Sequence, residues 1–244
     1  ERSPGSYRFN IRGSSLRSPF GLRDVKVYFN DIPLTDPGGN TYLNQLCFYN
    51  FQSVEIIKGA AGSMYGAGTG GAVLISSMPS NWRPGVNINY TAGSFANNNI
   101  NLNIRLGKPG NQSSIGYNHQ TSNGYRTQTN MRRDVASWES LFKINERQTF
   151  RAYKLYADLF YQTPGALTKA EYDANPKQAR PTAEEKKASI YQKNFTVGLS
   201  NDYHFNSNWQ NITAVYGGYT DFTNPGIRVY EKRKEPHFGG RSVF

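Results

Sequence analysis

Residues 86–92 and 99–106 constrain the fold most, because they alternate apolar and polar side chains without a break. Val86, Ile88, Tyr90 and Ala92 alternate with Asn87, Asn89 and Thr91, and Ile100, Leu102, Ile104 and Leu106 alternate with Asn99, Asn101, Asn103 and Arg105. A period of two belongs to a strand. A soluble sandwich strand also alternates, but rarely at such length. Roughly 9–11 residues is what a tilted strand needs to cross a bilayer.

Less regular versions of the pattern follow. Ile115, Tyr117 and His119 oppose Ser114, Gly116, Asn118 and Gln120; Ala136, Trp138, Phe142 and Ile144 oppose Ser137, Glu139 and Lys143. Tyr153, Leu155, Ala157, Leu159 and Tyr161 oppose Lys154 and Asp158; Phe195, Val197, Leu199 and Tyr203 oppose Asn194, Thr196, Ser200, Asp202 and His204; Ile212, Ala214 and Tyr216 oppose Asn211 and Thr213. In each strand the apolar set is expected to face lipid and the polar set a lumen. The expected fold is all-β, with residues 82–244 forming about seven strands of a transmembrane antiparallel β-barrel.

Composition agrees. Only 37% of the 244 residues are apolar, low for a globular core, yet there are 17 Tyr and 14 Phe. A membrane barrel reconciles the two, since its strands are apolar on one face and its aromatics gather at the lipid interfaces. No run approaches the ~18 apolar residues of a spanning helix. The formal charge of +11 suits nucleic acid, lipid phosphate or an acidic ligand, but no nucleic-acid-binding motif accompanies it. Cys47 is the only cysteine, so no intrachain disulfide forms. His119, His204 and His237 lack metal-ligand spacing. No nucleophile–base–orienter set is present, and no catalysis and no cofactor are expected.

The connections orient the strands. Gly107–Asn111, Asn145–Arg147 and Asn206–Asn208 are tight turns, whereas Thr121–Arg133, Thr163–Ser189 and Thr223–Phe244 are long. Short periplasmic turns alternating with long outer loops is the barrel rule. Only the first hairpin, through Gly93–Ala96, has a short outer loop, so odd strands run outward.

Upstream, Gln52–Ser77 (QSVEIIKGAAGSMYGAGTGGAVLISS) places a glycine-rich passage between two strand-like runs, Val54–Lys58 and Ala72–Ser76. Gly66, Gly68 and Gly71 formally satisfy G-x-G-x-x-G, but a dinucleotide fingerprint needs a helix after the glycines, and β-branched residues follow. No G-K-[ST] is present, which excludes a Walker loop.

The ordered residues Val54-Glu55, Lys58-Gly59, Tyr65-Gly66 and Gly70-Gly71 resemble the end of the plug domain of TonB-dependent outer-membrane receptors. Ile11-Arg12-Gly13 and the run Val27–Leu34 occur in such plugs in the same order; Ala60 and Ala61 stand where Pro is frequent, and Asn30-Asp31 where Asp-Gly is commoner. Residues 1–81 accordingly read as the C-terminal half of a plug, with strands over Ser6–Gly13 and Val25–Phe29 and a short helix over Tyr42–Tyr49 capped by Asn40 or Thr41.

The resemblance implies the rest. A plug of this kind sits in the lumen of a 22-stranded barrel, so the chain is expected to be a fragment that neither conducts nor transports alone, because open sheet edges cannot face lipid. Arg12 and Lys58 match positions whose basic side chains lock the plug to wall glutamates, here expected beyond residue 244. Plug-apex residues Arg17, Arg23, Asn40 and Tyr42 suit an anionic or hydroxylated ligand. The segment Thr163–Pro181 is similar to an outer loop of receptors for ferric citrate and related chelates. Basic residues Arg126, Arg132, Arg133, Lys177, Arg180, Lys186, Lys187, Arg228, Lys232, Arg233 and Lys234 are placed in outer loops, where lipopolysaccharide phosphate or an anionic chelate would meet them.

The implied function is import of a scarce nutrient, a ferric chelate before cobalamin or an oligosaccharide, driven by the TonB complex. The implied partners are TonB, outer-membrane lipid and the chelate, with no nucleic acid. A non-transporting adhesin and a nucleic-acid binder are the rival classes.

Overall fold

The computed structural model describes Asn10, Ile11, Gly13, residues 24–59, Tyr65, Gly66, 70–79 and 81–244. Two sheets organise them. The smaller has the order β2-β1-β4-β3, and the larger is a meander of eight neighbouring strands from β5 to β12.

In the small sheet β1 (Val25–Phe29) turns through Asn30-Asp31 into β2 (Ile32–Pro33), and β3 (Ser53–Lys58) is antiparallel to β4 (Gly71–Ser76). β1 and β4 pair in parallel, Val25 opposite Gly71 and Phe29 opposite Ile75. Both strands foreseen around the glycine-rich passage are therefore present, and they join strand to strand. Gly71 shows why glycine is required there: its φ is +121°, and a Cβ would collide with the carbonyl oxygen of Ile57 on the paired strand. The strand expected over Ser6–Gly13 lies largely outside the described residues.

The helix expected over Tyr42–Tyr49 is replaced by two 3₁₀ turns, Leu43–Gln45 and Phe48–Asn50, neither with a side-chain cap. The hydroxyl of Thr41, a proposed cap, instead pairs with that of Thr35 at 2.8 Å. This leaves the first turn without its acceptor.

The large sheet comprises β5 (Gly85–Gly93), β6 (Asn97–Lys108), β7 (Asn111–Ser122), β8 (Met131–Asn145), β9 (Gln148–Gln162), β10 (Ser189–His204), β11 (Gln210–Pro225) and β12 (Tyr230–Val243). From β6 onward the strands run 12 to 16 residues, longer than the roughly 9–11 a tilted strand needs to span a bilayer. No helix among the described residues is long and apolar enough to cross a membrane.

β12 corrects the count of seven and the long outer loop placed at Thr223–Phe244. The chain turns back at residues 226–229, where the Gly226 amide donates to the Val229 carbonyl at 3.0 Å, and pairs along β11 from Pro225–Tyr230 to Ile212–Val243.

The small sheet packs against the inner face of the large one. Its apolar residues Val25, Val27, Phe29, Ile32, Leu34, Leu46, Val73 and Ile75 form one core with Val135 of β8 and Tyr153, Leu155 and Ala157 of β9. Phe29 and Tyr153 meet at 4.8 Å between ring centroids. Ile32 is fully buried beside Gly198 of β10, where any Cβ would strike it.

The core overturns the facing of two strands. Register places Val135, Ala157, Asn194 and Thr220 in one cross-strand row, so Ala157 and Thr220 share the inward face with Asn194. Tyr153, Leu155, Ala157 and Leu159 therefore face the plug, and Lys154 and Asp158 face outward, the reverse of the expectation. β11 is reversed likewise. Ala214 is buried inward and Tyr216 packs on the core, while Val215 and Tyr219 are exposed outward. Burying each large apolar side chain stabilises by about 1.5–3 kcal/mol, so a wall facing an apolar plug gains by turning its own apolar set inward. On β5, β6, β7, β8 and β10 the expected facing holds.

Candidate functional site at the plug–wall seam and outer loops

The tight turn at Asn30-Asp31 is the deepest polar contact between plug and wall. Both residues have positive φ, 47° and 71°, as a two-residue hairpin with the strand's own twist requires, and Asn and Asp tolerate that region. The Asn30 side-chain amide donates to Ser77 Oγ at 2.7 Å and to Glu139 Oε2 at 3.1 Å, while the Ser77 hydroxyl donates to the same Glu139 oxygen. Glu139 lies on the inward face of β8 and is 3% exposed. Beside it, Arg151 of β9 approaches Asp31 at 3.4 Å and Asp202 of β10 at 3.7 Å.

The expected lock would reach wall glutamates beyond residue 244. Within this chain the seam adds other contacts: a plug acid meets a wall arginine, and a wall glutamate is held by neutral plug donors. Arg12 lies outside the described residues. Lys58 is exposed at the end of β3, the outer strand of the plug sheet, and makes no ion pair among the described residues.

Of the plug-apex residues, Arg17 and Arg23 also lie outside the described residues. Asn40 is engaged within its own loop: its amide N–H donates to Asp36 Oδ1 at 2.8 Å and its side chain to Oδ2 at 3.2 Å. Tyr42 reaches the wall, its hydroxyl 3.5 Å from Glu235 of β12. Burial, then the Glu235 carboxylate, pushes the Tyr42 phenol up to about 12. On β12 the inward residues Glu231, Arg233 and Glu235 form a ladder, with Arg233 2.9 Å from Glu231 and 3.1 Å from Glu235. The Arg233 guanidinium also stacks 4.5 Å from the centre of Phe222. Below this ladder Arg241 lies 5.1 Å and 5.4 Å from the ring centres of plug residues Tyr28 and Tyr65. It borders a cavity of about 710 Å³ between plug and wall that also includes Lys26 and Tyr216. Sequence reasoning missed the seam because it joins residues far apart in the chain, and the ladder because the segment that forms β12 reads as an outer loop.

The outer loops close over one another. Arg126, in the loop after β7, donates from Nε to the Gln178 carbonyl and from Nη1 to the Gly165 carbonyl, both at 2.9 Å. Burial pulls the Arg126 pKa below its ordinary value. The loop after β9 carries two short helices, α1 (Lys169–Ala174) and α2 (Pro181–Glu185). α1 begins with a capping box in which Thr168 and Glu171 each accept from the other's backbone amide. The Thr168 amide holds the Glu171 carboxyl below its usual range. Lys177 lies 5.7 Å over the Tyr125 ring, and these two with Arg126, Gln128 and Gln162 border a cavity of about 570 Å³. Arg180 precedes α2 and its amide donates to the Pro164 carbonyl at 2.8 Å.

Arg126, Lys177, Arg180, Lys186, Lys187 and Arg228 lie in outer connections as expected, but Arg132 and Arg133 belong to β8 and Lys232, Arg233 and Lys234 to β12. Arg132 points outward, paired to Asp134 and, at 3.0 Å, to Asp158. Arg133 is buried inward, 3.4 Å from Asn118. A charged triplet reads as loop in sequence, yet two of its three residues can project to one face of a strand.

Residues 1–73 match the family model described as TonB-dependent Receptor Plug Domain. Among solved structures the chain is similar to the ferric citrate transporter FecA in its unliganded form, with 19% identity, a TM-score of 0.73, and coverage of 91% of this chain and 34% of that one. It is also similar to BauA, the ferric preacinetobactin receptor of Acinetobacter baumannii (15% identity, TM-score 0.65, 91% and 34% covered). A third similar structure is the copper transporter OprC (14% identity, TM-score 0.65, 90% and 35% covered). The chain spans about a third of the length of these structures.

Proposed function

We propose that this chain is part of a TonB-dependent outer-membrane receptor and serves the import of a ferric chelate. In this reading residues 1–81 are the second half of the plug and 82–244 the early barrel. The observation that carries it is the seam: a small sheet packs on the inner face of a wall of long antiparallel strands and is joined to it by an apolar core and by polar contacts at Glu139, Arg151 and Glu235. The similar structures named for ferric citrate and ferric preacinetobactin support iron chelates as the substrate class. The basic outer-loop residues Arg126, Lys177 and Arg180 support an anionic one.

The chain's own residues then have distinct tasks. Arg126 ties the two outer loops into one lid, and Lys177 and Arg180 add positive charge that draws an anion inward. Tyr42 couples the plug apex to the Glu231–Arg233–Glu235 ladder, so ligand contact at either reaches the other. The Asn30-Asp31 turn and Ser77 hold the plug until the TonB complex pulls. Allosteric transfer needs such a bistable element between two sites. No resident cofactor is required.

Uptake of labelled ferric citrate by cells carrying the intact receptor tests this. Arg126→Ala together with Lys177→Ala should raise the half-saturating concentration while the receptor stays in the membrane. Uptake indifferent to both the chelate and the proton-motive force would favour a non-transporting adhesin. Salt-steep DNA binding would favour the nucleic-acid reading.

A further inference from the structure

The inner face of the wall divides into two strips. On β5, β6 and β7 every inward residue, from Gly85 to Gly93, from Asn97 to Gly107 and from Gln112 to Ser122, is Asn, Gln, Ser, Thr, Arg or Gly. No apolar side chain points inward at these positions, and Arg105 is the single charge among them. Farther round, the plug's contact is apolar: Tyr153, Leu155 and Ala157 of β9 lie in the shared core, and Ile32 is fully buried against Gly198 of β10. Glu139 of β8, with its Asn30 and Ser77 donors, stands at the border, opposite Ser114 of β7.

The plug meets the polar strip through single hydrogen bonds. Asn103 donates to the side-chain oxygen of Asn50 at 3.3 Å, Asn101 to the Cys47 sulfur at 2.9 Å and Asn99 to the Tyr49 hydroxyl at 3.4 Å. The Tyr49 hydroxyl also lies 3.3 Å from Thr91 Oγ1. Behind these contacts is a cavity of about 140 Å³ bordered by Asn50, Gln52, Trp82, Asn87, Asn89 and Arg105, polar and roomy enough for water. Trp82 Nε1 and Arg105 Nε are buried at it without a hydrogen-bond partner among the described residues, and such groups are ordinarily answered by water or solute. The two strips therefore resist parting unequally. Separating an amide from an amide exchanges one hydrogen bond for another with water. Separating Tyr153 from Phe29, or Ile32 from Gly198, returns apolar surface to water with nothing gained in exchange.

We infer that the amide-lined strip of β5, β6 and β7 is the route along which a polar ligand rich in hydroxyl, carboxylate and carbonyl oxygens passes the plug, while the plug pivots on its apolar seat at β9 and β10. This rests on the import reading of the Proposed function and adds to it a side and a chemistry. Asn and Gln each offer a donor and an acceptor, so successive side chains can hand on an oxygen-rich solute by hydrogen bonds. With almost no charge along the strip, binding stays weak enough for the solute to leave each position.

The test tethers plug to wall on either side in cells carrying the intact receptor, with uptake of labelled ferric citrate as the readout. Asn101→Cys faces the native Cys47 and pins the polar side; Ile32→Cys/Gly198→Cys pins the apolar seat. The tethers are closed with copper phenanthroline, verified by thiol titration after denaturation, and opened with dithiothreitol. Folding is read from heat-modifiable migration on gels. Closing the first tether should cut uptake about tenfold, because the opening step then limits the rate, and reductant should restore it. Closing the second should leave uptake within about twofold of its reduced form. A closed first tether that leaves uptake intact, or two tethers that block alike, overturns the proposal. Thiol labelling decides the same point without a tether. With the proton-motive force present, Ser114→Cys should react with a water-soluble maleimide about tenfold faster than after a protonophore, and Leu155→Cys at an unchanged rate. Equal acceleration at both positions, or none at Ser114→Cys, also overturns it. Failure of the unaltered receptor to take up ferric citrate strikes the import reading alone, since the labelling contrast stands without that ligand.

Discussion

β7 and β9 flank the same strand and face the same plug, yet they present opposite chemistries to it. β7 turns Gln112, Ser114, Gly116, Asn118 and Gln120 inward, while β9 turns Tyr153, Leu155, Ala157 and Leu159. The plug explains the difference. Near β7 it offers polar and soft groups: Asn50 lies against Gly116, Gln112 approaches the sulfur of Met78 at 3.8 Å, and Asn101 of β6 donates to the sulfur of Cys47 at 2.9 Å. Opposite β9 it offers Phe29 and the apolar core. The chemistry of the wall's inner face is thus set locally by the part of the plug it meets.

The most severe way to break this contrast is Tyr153→Ala, which should cost about 3–5 kcal/mol of stability as an aromatic removed from a closed core. Its outward neighbour Tyr156→Ala should cost less than about 1 kcal/mol. Denaturant unfolding of the intact receptor distinguishes them, and equal effects would refute the assigned facing. On β11, Val215→Arg should cost about 2–4 kcal/mol in a bilayer. It should cost little in a polar detergent rim, whereas Ala214→Arg is penalised in both because it overpacks the inner face. Glu139→Ala strands the Asn30 and Ser77 donors and should cost about 1–3 kcal/mol. Its readout is faster protease cleavage of the plug with the barrel intact. In the outer loop, Thr168→Ala removes the cap of α1 and should cost about 1 kcal/mol, visible as faster amide exchange over residues 169–174.

The smallest effect is a titration. Tyr42 ionises at about 12 in the folded protein against 10.0 ordinarily. The stabilisation is whole below pH 10 and is lost as pH rises toward about 12, because the unfolded chain releases that proton first. Tyr42→Phe should remove this alkaline loss. An ultraviolet titration in which the variant and the parent lose stability identically would count against the Tyr42–Glu235 contact.

Much of the wall was legible because a strand's side-chain period is an intrinsic property of extended backbone. β5, β6, β7, β8 and β10 lie where alternation put them. β12 was hidden because both its faces are polar near its outer end: Lys232 and Lys234 look outward, Glu231, Arg233 and Glu235 inward. A strand polar on both sides leaves no period to read. Of the site residues, Tyr42 was reachable from its place at a plug apex. Glu139, Asp31 and Arg151 were not, since no local signal marks a contact between a plug turn and wall strands more than a hundred residues away.

Local chemistry settled the strands, the tight turns and the glycine-rich crossing at Gly71, because backbone sterics and side-chain period act within a few residues. Tertiary structure alone settled which face of β9 and β11 looks inward. Alternation specifies two faces but not which is which, and a shift by one residue exchanges them. That choice belongs to the partner surface, here an apolar plug on one side and lipid on the other.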